Sequence, residues 1–357
     1  MYNRRNAKKV SIGAVSIGGD MPITIESMTN TKTTDVKATV AQIRALQEAG
    51  CDMVRVTVNT QEAAQAFCEI RKQIANYPLI ADIHFDYKLA IAAIEAGADN
   101  IRINPGNIGS DERVQAVIDA AKAHGCSIRV GVNSGSLEQS IIDKYGGVTA
   151  EGLVESALRT VKLVEQMGFE DIIVSLKSSN VPMTIRAHEI FASQTDYPIH
   201  IGITEAGAQY AGTIKSVAGL SALLTRGIGD TLRISLTGDP IEEVKAAKEM
   251  LQSLGIRHFK PEIISCPTCG RTEVDLLSVV NEIEKKVAHI KVPLVIAVMG
   301  CVVNGPGEAR EADLGVACGK GEGLLFAHGK PLYKVAEENI VQELIKKIEE
   351  MAGEHYE

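Results

Sequence analysis

No stretch of this 357-residue chain approaches the ~18 consecutive apolar residues that a membrane-spanning helix requires. The opening residues Met1-Tyr2-Asn3-Arg4-Arg5-Asn6 lack the apolar core of a secretory signal, so a cytoplasmic location is expected and no membrane partner. Positive charge is not in excess: the net charge is −8, which argues against nucleic-acid binding through bulk electrostatics. No glycine fingerprint follows the first strand-like segment, as a dinucleotide-binding fold would show. There is no low-complexity tract. What remains is a chain that is 45% hydrophobic, enough for one large barrel and a small second domain. Seven cysteines in a reducing compartment suit thiolate use rather than disulfides, and Cys51, Cys68 and Cys126 read as small core hydrophobes.

From residue 23 to about 255 one unit recurs: a short β-branched run, a polar residue at its end, then an amphipathic helix. The runs fall at 23–28, 53–58, 79–84, 100–104, 127–133, 171–176, 199–204 and 231–236. Helical stretches such as 36–49 and 88–96 end at Gly50 and Gly97, where a left-handed cap is wanted. Eight such units predict an α/β fold with a parallel sheet closed into a (β/α)8 TIM barrel. A linker near 255–260 sets the expected domains at 1–256, for substrate binding, and 257–357, a smaller α+β domain.

Alternation along the strands turns this architecture toward chemistry. Arg55 and Thr57 share one face, as do Asp82 and His84, Arg102 and Asn104, and Ser175 and Lys177. Arg129, Gly131 and Asn133 share another, and Arg233, Ser235 and Thr237 a sixth. The opposite faces are Val, Ile and Leu, suited to packing on a helix ring. A barrel interior is normally filled by branched apolar side chains. Five cations on five strands exceed what Asp82, Glu26 and Glu205 neutralise, so a polyanion such as a diphosphate is the expected ligand. The binding set is Arg55, His84, Arg102, Asn104, Arg129, Asn133, Lys177, Arg233 and Ser235. Glu205 is either a proton-transfer acid or an ion-pair partner of Lys177 or Arg233.

In the second domain Cys266-Pro267-Thr268-Cys269-Gly270 and Met299-Gly300-Cys301 form two Gly/Pro-rich turns at predicted strand ends. A strand ending at Ser265, a helix over 272–289, a strand over 293–298, hairpin strands over 313–335 and a helix over 337–352 are predicted. Iron–sulfur clusters usually take four cysteines, so three suggest a metal centre with an unusual or open fourth position. Glu308 can place a carboxylate over that centre, and it can equally be a solvated loop residue. A structural zinc site with Cys318 or a histidine as fourth ligand uses the same turns.

Several motifs occur in the order found in one family. They are Ser27-Met28-Thr29-Asn30-Thr31, Arg102-Ile103-Asn104-Pro105-Gly106-Asn107, Arg129-Val130-Gly131-Val132-Asn133, Gly202-Ile203-Thr204-Glu205-Ala206-Gly207, Cys266-Pro267-Thr268-Cys269-Gly270 and Val303-Asn304-Gly305-Pro306-Gly307-Glu308. The chain resembles, essentially end to end, the (E)-4-hydroxy-3-methylbut-2-enyl diphosphate synthases of the non-mevalonate isoprenoid pathway, in their shorter bacterial form. The resemblance implies a TIM barrel followed by an iron–sulfur domain. It implies a [4Fe-4S] cluster bound by Cys266, Cys269, Cys301 and Glu308; Glu205 and Glu308 are the expected catalytic residues. It also implies reductive opening of 2-C-methyl-D-erythritol 2,4-cyclodiphosphate with loss of water, reduced ferredoxin or flavodoxin as donor, and a homodimer in which one subunit's cluster serves the other's barrel. Two readings compete with it: a pterin- or corrinoid-linked TIM-barrel enzyme with a zinc-stapled appendage, and a non-enzymatic iron–sulfur carrier. The carrier leaves five cations inside a barrel unexplained.

Overall fold

A computed structural model describes residues 3–83, 86–104, 109–301 and 310–354. The chain divides into two compact units, Met1–Ile256 and Arg257–Glu357. In the first, β1 (Val10–Ile12) and β2 (Val15–Ile17) form an antiparallel hairpin. The strands β3 (Thr24–Met28), β4 (Met53–Thr57), β5 (Leu79–Asp82) and β6 (Asn100–Ile103) follow. They continue as β7 (Ser127–Asn133), β8 (Ile172–Lys177), β9 (His200–Ile201) and β10 (Thr231–Leu232).

Each barrel strand pairs in parallel with its sequence neighbours, and β10 returns to pair with β3. A parallel bridge between Val174 and Ile199 joins β8 to β9 and closes the ring. Helices after the strands start on side-chain caps: Asp35, Thr60, Asp86, Thr149, Asn180 and Asp239 each accept a backbone N–H of the first turn. Gly50 and Gly97 take left-handed backbone just past their helices, at φ 89° and 93°, as the sequence predicts.

The hairpin is the element that alternation does not reveal, since three residues a strand carry no readable period. Its Val10, Ile12 and Ile17 pack on Met53, Ile80 and Ile173, making an apolar floor at the strands' N-terminal ends. Two predicted strands, 199–204 and 231–236, shorten to two residues each. Arg233 N–H still donates to Ile201 O at 3.0 Å, so both segments stay aligned as they open toward the barrel mouth. Cys51 and Cys126 lie in the core as expected, whereas Cys68 is only partly buried. No helix among the described residues is long and apolar enough to cross a membrane.

The second unit is a five-stranded sheet of β11 (Glu262–Ser265), β12 (Val295–Met299), β13 (Leu314–Gly319), β14 (Glu322–Ala327) and β15 (Lys330–Ala336), in that spatial order. The first three are parallel and the last three antiparallel. β11 starts directly after Pro261, which has no N–H to give a ladder. The helices Leu276–Val287 and Ile340–Glu354 share one core with the sheet through Ile283, Val298, Val316 and Leu344. On the other face Ala297, Met299, Ala317 and Phe326 form a smaller cluster.

Gly315 is pressed between these layers: a Cβ there would meet the Phe326 ring and stand 2.8 Å from Ala297 O. Gly315→Ala should therefore overpack the sheet and cost about 1–3 kcal/mol, read as a lower denaturant midpoint. An unchanged midpoint would mean that Phe326 swings aside freely.

Candidate functional site

Because successive side chains on a strand point to opposite faces, the inward positions of β3–β10 stack in layers. Above the apolar floor lies a layer of charge. Glu26 on β3 is fully buried, and Arg129 on β7, 1% exposed, grips both its carboxylate oxygens. Arg55 Nη1 lies 3.6 Å from Glu26 Oε1, and the ring of His200 lies 3.7 Å from Oε2. Burial pushes the Glu26 carboxyl upward, yet Arg129 and Arg55 outweigh it and hold the group below the usual glutamate range.

Over this layer opens a cavity of about 180 Å³ lined by Arg55, Asp82, Arg102, Asn133, Ser175, Lys177, Thr204, Arg233 and Ser235. Arg102 faces Asp82 at 3.5 Å. It lies flat across Gly131, where a Cβ would stand 2.9 Å from Nη2 and 3.0 Å from Cζ. Arg233 makes a two-pronged pair with Glu243, at 3.1 Å on both Nε and Nη2. Lys177 Nζ has a histidine, not a carboxylate, as its hydrogen-bond partner: His200 Nε2 at 3.2 Å. Five basic side chains, Arg55, Arg102, Arg129, Lys177 and Arg233, thus meet three carboxylates, Glu26, Asp82 and Glu243.

Of the expected binding residues, Arg55, Arg102, Asn133, Lys177, Arg233 and Ser235 come together on this cavity. Arg129 and Asn104 are buried but do not line it, and Arg129 is spent on Glu26. His84 lies outside the described residues. Glu205 is exposed, off the cavity, and in left-handed backbone at φ 52°; it pairs with neither Lys177 nor Arg233. Sequence reasoning missed Glu243, which reaches in from the helix Pro240–Ser253 and also accepts from Ser27 Oγ at 2.9 Å and Leu236 N at 3.0 Å. Helical periodicity marks Glu243 only as one acid among several. It missed His200 as well, a polar residue inside an apolar strand, which alternation places on the inward face.

In the second unit Cys266 follows the last residue of β11, and Cys301 follows β12 by one residue. Because β11 and β12 are parallel neighbours, with Ser265 opposite Val298, both cysteine turns emerge at the same sheet edge. Gly300 N–H donates to Cys266 Sγ at 3.3 Å, tying one turn to the other. Gly300 also sits against Thr272, whose methyl would be 2.9 Å from a Cβ, so only glycine lets the turns close this far. Cys269 is exposed. Among the described residues no three His, Cys, Asp or Glu side chains converge on one point that would hold a metal ion. Cys266, Cys269 and Cys301 are thiols of the kind an iron–sulfur centre takes as ligands, and Cys266 Sγ already accepts a backbone N–H. Cys318 is different. It sits inside β13 in the apolar core, and burial pushes its thiol up to about 11. Glu308 lies outside the described residues.

Residues 7–248 match the GcpE TIM-barrel domain, and residues 262–350 match the GcpE protein C-terminal domain. A 4-hydroxy-3-methylbut-2-en-1-yl diphosphate synthase (flavodoxin) of Anoxybacillus flavithermus is 57% identical over 355 residues, 99% of this chain and 97% of that protein. Enzymes of the same name are 57% identical in Geobacillus thermodenitrificans, over 100% of this chain and 95% of theirs, and 55% in Caldanaerobacter subterraneus, over 98% and 99%. Among solved structures, a type I 3-dehydroquinate dehydratase of Clostridium difficile superposes with a TM-score of 0.52 at 16% identity. A dihydropteroate synthase of Stenotrophomonas maltophilia gives 0.51 at 14%. Both cover 70% of this chain and 98% of their own, a likeness of barrel fold alone.

Arg129 and Arg102 should respond differently to truncation. Arg129→Ala leaves Glu26 buried without its fork and should cost about 3–5 kcal/mol of stability in a denaturant titration. Arg102→Ala should leave the midpoint nearly unchanged while weakening binding of inorganic diphosphate by about 1.5–3 kcal/mol. Gly131→Ala, which displaces the Arg102 guanidinium, should follow Arg102→Ala. Equal destabilisation by Arg129→Ala and Arg102→Ala would refute this division of roles.

Proposed function

The chain belongs to the GcpE family, and on that footing we propose that it catalyses the two-electron reductive ring opening and dehydration of 2-C-methyl-D-erythritol 2,4-cyclodiphosphate to (E)-4-hydroxy-3-methylbut-2-enyl diphosphate. The observation that carries this reading is the barrel cavity, whose four lining cations meet one carboxylate, Asp82, on the same wall. Such a site suits two linked phosphates. The pterin- or corrinoid-linked alternative finds no support: the likeness to a dihydropteroate synthase extends to the fold alone, and every named relative above is a diphosphate synthase.

The reaction breaks a carbon–oxygen bond to phosphate and releases a hydroxyl as water, so two electrons and one proton must enter. The phosphate that leaves carbon gains a negative charge. Arg55, Arg102, Lys177 and Arg233 are already placed and largely desolvated, so they stabilise that charge without reorganising. Asn133, Ser175, Thr204 and Ser235 supply neutral donors that orient the phosphates. Glu205, next in the chain to Thr204 and held in strained backbone, is the acid we assign to proton transfer at a substrate hydroxyl. Cys266, Cys269 and Cys301, with Glu308 as the non-cysteine ligand, are the residues that would hold a [4Fe-4S] cluster. When bound, such a cluster supplies the electrons and a Lewis-acidic iron. Reduced flavodoxin is the donor supported by the relatives' names. A cytoplasmic homodimer completes the reading, in keeping with cysteines that form no disulfide among the described residues.

Anaerobically isolated protein should be brown, absorb broadly near ~400 nm and carry about four irons per chain. Cys301→Ser should lose the colour and the iron, while Cys318→Ser, altering a core thiol, should keep both. A colourless protein with one zinc per chain would overturn the proposed chemistry, and loss of iron in Cys318→Ser would reassign the fourth ligand.

A further inference from the structure

The partner of Lys177 is unusual for a phosphate-binding lysine. A lysine meant to stay charged is best paired with a carboxylate, as Arg233 is with Glu243. Lys177 instead points its Nζ at His200 Nε2, 3.2 Å away, with both side chains buried. On its far side the His200 ring faces acceptors: Thr231 Oγ1 lies 3.4 Å from Nδ1, and Glu26 Oε2 lies 3.7 Å from it. A carboxylate oxygen only accepts, so the ring proton belongs on Nδ1 and Nε2 is left to receive an N–H from Lys177.

The backbone is shaped for this contact. At Gly202 a Cβ would stand 3.2 Å from Lys177 Nζ and 3.4 Å from Cε, closer than nearly all side chains tolerate, while also meeting Arg233 O at 2.9 Å. Glycine at this position opens the lane by which Lys177 crosses β9 to reach His200. Lys177 also lines the cavity.

Around Lys177 the charged groups come from several strands: Arg55 on β4, Arg129 on β7, Arg233 on β10 and Glu26 on β3, with His200 on β9. Three guanidiniums and one carboxylate already committed to Arg129 make this a poor place for another positive charge. Outside the barrel, on the helix Val181–Ala192, His188 also feels Lys177.

We propose that Lys177 and His200 form a proton-accepting pair governed by the cavity: an entering diphosphate takes over the Lys177 hydrogen bond and draws one proton from solvent onto the pair, so phosphate binding is coupled to proton uptake. The proposal rests on the functional reading above and adds a property to it. Burial first, then Arg55 and Arg129, hold the Lys177 amine well below the usual lysine range in the empty site. Burial with Arg129 and Lys177 does the same for His200. An anion in the cavity reverses the local sign and raises the pair's proton affinity. Selectivity follows as well, since a neutral ligand cannot charge the pair and the fourth cation is complete only when an anion is present.

The test is calorimetric titration of the cluster-loaded, unreduced full chain with 2-C-methyl-D-erythritol 2,4-cyclodiphosphate, in two buffers of different ionisation enthalpy at pH 8. Both phosphates of this ligand are esterified and carry only strongly acidic oxygens, so a buffer-dependent enthalpy reports protons taken up by the protein. About one proton per site is expected, declining toward lower pH as the empty pair becomes protonated. Lys177→Arg, always charged, should bind without uptake, and His200→Gln, which removes the pair's imidazole, should reduce it. Binding with the same enthalpy in both buffers overturns this inference and leaves the functional reading standing. Uptake that persists undiminished in Lys177→Arg also overturns it. Absence of any binding to the loaded native chain overturns the functional reading, and this inference with it.

Discussion

One carboxylate, Glu26, sets the terms for the barrel. It is buried among Arg129, Arg55 and His200, and the Arg129 fork occupies both of its oxygens. Each buried ion costs several kcal/mol in lost hydration even after relaxation, and a pair returns that only when geometry is good. Here geometry is good for Arg129 and marginal for Arg55. The interior is therefore not neutralised, and an anionic ligand finishes what Glu26 begins. That arrangement is stable only because the rest of the barrel is conventional: the outward faces of β3–β10 are apolar and buried under the helix ring.

Vertical layering separates these demands. The hairpin β1–β2 closes the lower end with Val10, Ile12 and Ile17, so the charged layer rests on a dry floor rather than on water. Water beneath Glu26 would screen its pairs and soften the field that the cavity presents. The upper cations lie beside the opening and remain available. A short antiparallel element that touches no cavity residue thus governs the dielectric in which those residues work.

Much of this was legible in the sequence because period-2 alternation is strict wherever a strand is buried on both faces. Arg55, Arg102, Lys177 and Arg233 could be placed inside from their spacing to apolar neighbours, and the cavity gathers all four. Alternation gives direction but not depth. It could not tell that of the register partners Arg102 and Arg129, Arg129 turns to Glu26 while Arg102 lines the opening. Nor could it find Glu243, because a helical acid turns inward only if the helix lies with its first turn across the barrel end. Glu205 shows the converse: read as an acid on the loop after its strand, it stands exposed in left-handed backbone next to Thr204, which lines the cavity.

The second unit follows the same rule with different chemistry. Parallel pairing of β11 and β12 sends their following loops to one end of the sheet, so two cysteine turns distant in sequence become neighbours. Cys318 lies on the next strand, but inside β13 rather than beyond its end, and its buried thiol is hard to ionise. A metal ligand must be a thiolate, and forming one in that core costs desolvation that the exposed Cys269 avoids, although Cys301 is itself buried. A carboxylate is the ligand type that meets no such cost, being ionised at neutral pH in its ordinary state. A carboxylate also holds soft iron less firmly than a thiolate, which leaves one position exchangeable. In both units chemically active groups stand at or just beyond the C-terminal ends of parallel strands: guanidiniums in the first, thiols in the second. The strands fix position to within a residue, and the loops choose the chemistry.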